Sequence, residues 1–164
     1  MQDWVCPRCQ NTRNGRFCEL DGYDSHLPGT DDWALVVTAD RKYHAFVLEA
    51  GNAAAATIEF PEFCPERRFA LRGDRLLIGR RSASRGIRPE IDLTGSPADP
   101  AVGHAHAELV RTPEGLWTVT DLDSANGTFV NHSETPIAPH APEPIAPGDQ
   151  ITIGGWTNLT LRAG

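Results

Sequence analysis

Asp121-Leu122-Asp123-Ser124-Ala125-Asn126-Gly127-Thr128-Phe129-Val130-Asn131 is the stretch that decides the fold. Its Asn-Gly pair stands between two short runs of branched and aromatic residues, 117–121 and 127–130, a pattern that predicts two strands joined by a tight connection. Asn-Gly favours a pair of positive φ angles, so the turn is expected to present the Asn126 amide outward. The same rhythm recurs to either side. Residues 33–38, 43–48, 57–60, 68–71, 75–78, 106–110, 150–153 and 158–161 are short and rich in branched or aromatic side chains. Turn formers such as Gly51-Asn52, Arg72-Gly73-Asp74, Thr112-Pro113-Glu114-Gly115 and Pro147-Gly148-Asp149 separate them. The expected fold class is all-β, an antiparallel β-sandwich.

Thirteen prolines and fifteen glycines leave no long segment with helical spacing of apolar residues, and 53–56, four alanines beside Gly51, reads as loop. Residues 81–100 and 132–147 carry no strand signal and read as long loops, the places where a strand scaffold keeps its function.

At 164 residues the chain has room for one full domain and a small appendage. Apolar residues at 40% and charged residues at 23% are ordinary for a globular protein that buries a core. No apolar run approaches the roughly 20 residues of a membrane-spanning helix, and the start lacks a basic stretch followed by an apolar one. A soluble cytoplasmic protein is expected, without a membrane partner.

A formal charge of −7 argues against a general nucleic-acid binder. The positive charge is nonetheless concentrated. Arg67, Arg68, Arg72, Arg75, Arg80, Arg81, Arg85 and Arg88 supply eight of the fifteen basic residues within a short span, against only Glu66 and Asp74. Guanidinium groups grip phosphate or carboxylate at two points, so a local arginine cluster on an acidic protein suits a compact anion.

Gly79-Arg80, then Asp99-Pro100-Ala101-Val102-Gly103-His104-Ala105-His106-Ala107, then the Asp121 to Asn131 stretch, then Gly148-Asp149, closely resemble the forkhead-associated (FHA) domain from about Arg68 to Leu161. The resemblance implies a sandwich of about eleven strands whose loops at one end bind a phosphothreonine peptide without acting on it chemically. It implies that Arg80 holds the phosphate and that Asn126 bonds the peptide backbone and orders its own loop. Gly103, His104, Arg81 and Ala125 join them in the phosphopeptide site. His106 links strand and loop through its ring nitrogens, and Gly79, Gly127, Thr128 and Asn131 complete the structural motif. The implied partner is a threonine-phosphorylated protein, a Ser/Thr kinase or its substrate.

The pattern departs from the family at one place. Where it has Ser-Arg or Ser-Asn, this chain has Gly103-His104, and a hydroxyl donor to the phosphate is missing. A hydrogen bond to a charged group contributes about 1.5 to 3 kcal/mol, so its loss weakens binding tenfold or more. The backbone N–H of Gly103 and the ring of His104 are the compensating donors. A domain that has lost phosphate recognition and serves as a phosphorylation-independent scaffold is the alternative. No nucleophile elbow, Walker loop or dinucleotide motif is present, so the chain is not expected to be an enzyme.

Cys6-Pro7-Arg8-Cys9 followed by Cys18 resembles a zinc ribbon. Two cysteines two residues apart aim both sulfurs at one tetrahedral ion. The fourth ligand is expected at Asp21, with His26 or Cys64 as substitutes, and the zinc is structural, because so short a segment buries too little to hold itself together. The chain divides into a zinc-ribbon-like segment at 1–28, a strand-rich extension at 31–64 and the FHA domain at 66–164.

Overall fold

The structure, a computed structural model, describes residues 3–6, 9–15, 17–20, 33–50 and 57–163. Two strands of two residues, β1 (Trp4–Val5) and β2 (Thr12–Arg13), pair antiparallel in the cysteine segment. The chain continues through β3 (Trp33–Ala39), helix α1 (Arg41–Glu49), β4 (Arg67–Ala70), β5 (Arg75–Gly79), β6 (Ile91–Asp92) and β7 (Ala107–Arg111). It ends with β8 (Trp117–Asp121), β9 (Thr128–Val130), β10 (Glu143–Ile145), β11 (Gln150–Ile153) and β12 (Thr157–Ala163). Two five-stranded sheets result, ordered β10-β8-β7-β5-β6 and β4-β3-β12-β11-β9.

Alternation along the strands builds the core between them, because every second side chain points to the same face. Leu76 and Ile78 of β5, Leu109 of β7, and Trp117 and Val119 of β8 meet Leu35 and Val37 of β3, Ile151 and Ile153 of β11, and Leu159 and Leu161 of β12 in one cluster. Each such side chain contributes about 1.5 to 3 kcal/mol by leaving water. Among the described strands pairing is antiparallel except between β5 and β6, and a single parallel bridge joins Asp121 to Pro139.

The structure corrects the sequence reading in four places. Residues 43–48, expected as a strand, lie in α1. Asp40 caps that helix, its carboxylate accepting from the Tyr43 N–H at 3.0 Å, and Tyr43 and Val47, four residues apart, are buried on one face beside Phe46. That face rests on Phe129 of β9, with ring centroids 5.8 Å from Tyr43 and 5.5 Å from Phe46. Residues 57–60, also expected as a strand, belong to none of the described sheets and lie against the helix. His44 Nε2 lies 2.8 Å from the Ile58 carbonyl, and the Arg41 guanidinium sits 4.3 Å over the Phe60 ring.

Third, the stretch read as a strand-rich extension at 31–64 supplies β3 and α1, and β3 lies between β4 and β12 and pairs with β12 along all seven residues. Fourth, the two loops without strand signal contain β6 and β10. Both are edge strands, which is where Pro144, lacking an N–H, can sit. The loop expected at 53–56 and the boundary expected near 28–31 lie outside the described residues. Among the described residues no helix is long and apolar enough to cross a membrane.

Asp99 joins the two sheets' loops. Its carboxylate is buried and accepts from the N–H groups of Ala101 (3.0 Å), Gly155 (2.9 Å) and Trp156 (3.0 Å) and from the Thr157 hydroxyl (2.8 Å). Gly154, at φ 65°, leaves room for it, since a Cβ there would fall 2.6 Å from Asp99 Oδ2. The Tyr43 hydroxyl donates to the Gly154 carbonyl at 2.8 Å, and burial, with Asp99 nearby, pushes its phenol above the usual range. Truncating a carboxylate that satisfies this many buried donors leaves each unpaired. Asp99→Ala is expected to lower unfolding stability by about 3 kcal/mol, read from urea denaturation. A loss under about 1 kcal/mol would show that the donors find other partners.

Candidate functional site

Three loops converge where β5 ends. Gly79 permits it: the carbonyl oxygen of His104 comes so close that a Cβ on residue 79 would fall 1.9 Å from it. The Arg80 N–H then donates to the Gly103 carbonyl at 3.2 Å, and Arg80 Nε donates to the Val102 carbonyl at 2.6 Å. A guanidinium gripped by Nε leaves its two terminal nitrogens projecting, and among the described residues no partner engages them. Arg80 is half-buried and, among the described residues, bonds no carboxylate. The next residue, Arg81, is exposed, its N–H donating to the Thr94 hydroxyl at 2.8 Å. Burial opposes the charge of Asp92, while bonds from Thr94, with Arg81 close by, hold its carboxyl below the usual range.

The second loop is held by His106, fully buried. Its Nδ1 accepts from the Gly103 N–H at 2.9 Å, which requires the proton on Nε2, and Nε2 donates to the Gly127 carbonyl at 3.0 Å. Burial pushes this imidazole below its ordinary range, against the pull of the Gly127 carbonyl and the Asp121 and Asp99 charges. The bond corrects one expectation: the Gly103 N–H is engaged inside the protein and does not turn to a ligand. His104 Nδ1 lies 3.0 Å from the Arg80 carbonyl oxygen, so that half-buried ring stands against the residue that carries the guanidinium.

The third loop also departs from expectation. Of the Asn-Gly pair only Gly127 has positive φ, 83°. The turn is fixed by its neighbours instead: buried Asp121 accepts from the Ser124 N–H at 3.1 Å and the Thr128 hydroxyl at 2.7 Å, and Ser124 Oγ accepts from the Gly127 N–H at 3.0 Å. Asn126 Nδ2 donates to the Ala101 carbonyl at 3.0 Å, which ties this loop to the second one. Ala125 is exposed at the tip. Asn131, at φ 52°, lies beyond β9, where its Oδ1 accepts from the Gln150 N–H at 3.0 Å and its Nδ2 donates to Asp149 at 3.2 Å.

Residues the sequence reading gave no part are prominent in this geometry. Asp99 anchors the second loop, and Asp121 with Ser124 shapes the third. The signal for both was a short acidic side chain followed two or three residues later by backbone N–H groups it can cap. The carbonyls of Val102 and Ala101, which hold Arg80 and Asn126, had no signal, because every residue type has a carbonyl.

Away from these loops, the Sγ atoms of Cys6, Cys9 and Cys18 all lie within 4.8 Å of one another, and Cys9 and Cys18 are 3.6 Å apart. Sulfurs about 2.3 Å from one tetrahedral ion stand about 3.8 Å apart, so the three can hold a metal. Arg13 Nε donates to Cys18 Sγ at 3.4 Å. Bonds from Asn11, above all its backbone N–H, bring the Cys9 thiol down to about 7. Asp21 and His26 lie outside the described residues, and Cys64, whose thiol burial pushes up, is not in the cluster.

Residues 76–154, which span β5 through the β11–β12 turn, match the model of the FHA domain. The chain is 35% identical over 82 residues to an oxoglutarate dehydrogenase inhibitor of Corynebacterium diphtheriae, covering 50% of this chain and 52% of the relative. It is 33% identical over 89 residues to the glycogen accumulation regulator GarA of Mycolicibacterium smegmatis, covering 54% and 51%. The chain thus spans about half the length of these curated relatives. In three dimensions it superposes on an FHA domain of an Arabidopsis thaliana protein with a TM-score of 0.52, at 21% identity over 81% of this chain and 86% of that one. The two-sheet sandwich and the loops at the end of β5 are therefore those of an FHA domain, which this chain carries over residues 76–154.

Proposed function

We propose that the FHA domain of this protein reads phosphothreonine on a partner protein, with Arg80 as the phosphate anchor. The observation that carries this reading is the Arg80 guanidinium, fixed through Nε to the Val102 carbonyl with its terminal nitrogens unengaged at the meeting point of three loops. A phosphate of charge about −1.5 to −2 needs donors that converge from separate segments, at least one of them cationic. Asn126, cross-linked to the second loop through Ala101, lines the path of the peptide backbone beside the anchor, with His104, Gly103, Arg81 and Ala125 around it. The module binds and performs no chemistry. Its partner is a Ser/Thr kinase or a kinase substrate in the cytoplasm, and neither nucleic acid nor membrane is its target. The relatives' names, an inhibitor and a regulator, support a regulatory role over a catalytic one.

The second reading, a phosphorylation-independent scaffold, is favoured by one observation: residue 103 brings no hydroxyl, and its N–H is bound to His106. Zinc held by Cys6, Cys9 and Cys18, with Asp21 as the fourth ligand, is the proposed structural cofactor of a zinc-ribbon-like N-terminus, supported by the spacing of the three sulfurs.

Titrating a threonine peptide with and without phosphate separates the two readings. Phosphate-dependent binding lost in Arg80→Ala supports the reader, and equal affinity for both peptides in both proteins supports the scaffold. A Cβ at residue 103 would meet only ordinary contacts, His106 Nδ1 at 3.5 Å being the nearest, so Gly103→Ser should fold and restore the hydroxyl. Its affinity is expected to rise about tenfold or more. For the metal, elemental analysis should find one zinc per chain in the parent and none in Cys9→Ser. A metal-free parent would reject the site.

A further inference from the structure

The two histidines of the second loop hold their protons on opposite nitrogens. In His106 the N–H of Gly103 points at Nδ1, so Nδ1 is an acceptor and Nε2 carries the hydrogen. In His104 it is Nδ1 that lies 3.0 Å from a carbonyl oxygen, that of Arg80, and a carbonyl can only accept. Nδ1 of His104 therefore carries the proton, and Nε2 of the neutral ring is a bare lone pair. Among the described residues nothing bonds that nitrogen. A lone pair repels a phosphate oxygen, whereas the same nitrogen protonated is a charged donor to it.

Resting on the reading of Arg80 as the phosphate anchor, we propose that His104 is the second phosphate ligand, that it serves only as an imidazolium, and that capture of a phosphothreonine consequently takes up a proton. The inventory of donors supports this. The Gly103 N–H is bound to His106, Arg80 Nε is bound to Val102, and no hydroxyl stands at residue 103. The anchor's two terminal nitrogens remain, a single positive charge against a phosphate near −2. His104, braced against the backbone of Arg80 itself, is the next donor the loop offers.

The ionisable groups on the surrounding elements set the direction. Arg80 and Arg81 follow β5, Asp92 lies on β6, and Asp99 and His106 belong to the same loop as His104, with Asp121 and Asp123 on the third loop. Asp92, Asp99 and Asp121 are bonded to Thr94, to the Gly155–Thr157 turn and to Ser124 and Thr128 respectively, and His106 is buried. An arriving dianion favours a positive charge on a ring beside it. The serine of the family pattern donates at any pH, whereas a histidine in this role makes recognition weaken as pH rises, because only the imidazolium has a donor on Nε2 while Nδ1 faces the Arg80 carbonyl. The phosphate, with a second ionisation near 6, keeps its full charge from about pH 7 to 8.5.

The experiment uses the full chain and a labelled pool of short peptides with a central phosphothreonine and randomised flanks. Affinity is measured by fluorescence anisotropy at pH 7.0, 7.75 and 8.5, and proton uptake by calorimetry in HEPES and in Tris. The expected result is affinity roughly fivefold weaker at pH 8.5 than at 7.0, with net proton uptake on binding, both lost in His104→Gln and in His104→Asn. The difference between parent and variant cancels every other titrating group. Phosphate-dependent binding that is flat with pH, or equally pH-dependent in both variants, overturns the role of His104 and leaves Arg80 as the anchor. Equal affinity for the phosphorylated and unphosphorylated pools at every pH overturns both.

Discussion

The end of the sandwich that carries Arg80 depends on one loop, 99–106, being fastened at several points. Asp99 fastens its start to the β11–β12 turn through a buried carboxylate that satisfies donors from both sides. Gly79 lets its middle approach the end of β5 at a distance no side chain would allow. His106 fastens its far end to Gly127. Buried polar groups are costly unless fully paired, so each attachment favours a single arrangement over a spread of loop conformations. Arg80 and Asn126 then take their positions from carbonyls of this loop, Val102 and Ala101. A guanidinium held by a neutral carbonyl keeps its whole charge for a ligand, which a carboxylate partner would have neutralised.

Helix α1 extends the same logic to the outside of the sandwich. It covers Phe129 on β9, next to the third loop, and its Tyr43 hydroxyl bonds the Gly154 carbonyl in the turn that Asp99 organises. At its start, Asp40 is both the helix cap and the partner of His132, 2.6 Å away. Burial works against the charge on Asp40, yet the His132 and Tyr43 bonds hold its carboxyl below the usual range. An element inserted between β3 and β4 is thereby joined to the loops around Asp99 and Phe129.

Much of this was legible in the residues. Trp117 and Val119, and Ile151 and Ile153, alternate with Thr118 and Thr152, and such alternation has one economical solution, a sheet with one apolar face turned to the core. The arginine after β5, the Gly103 to His106 stretch and the Asn-Gly turn are read from the sequence, and the structure brings their three loops together at one end of the sandwich. Residues 43–48 misled because Tyr43, Ala45 and Val47 alternate as a strand would, while Tyr43, Phe46 and Val47 equally satisfy a helical stripe. Asp40 ahead of them was the cue that favoured the helix. Residues 31–64 looked separate only because pairing partners such as β12 are more than a hundred positions away.

Local order alone settled that the chain is rich in short strands, which faces of several of them are apolar, and that an arginine follows β5, since periodicity and side-chain chemistry are properties of neighbours in the chain. Folding in three dimensions settled whose carbonyl holds which donor: that Gly103 gives its N–H to His106, that Arg80 leans on Val102, and that the two histidines carry their protons on opposite nitrogens. Backbone amides are the same in every residue, and distance between loops is not written in their order. These assignments therefore emerge only when remote segments are packed against one another.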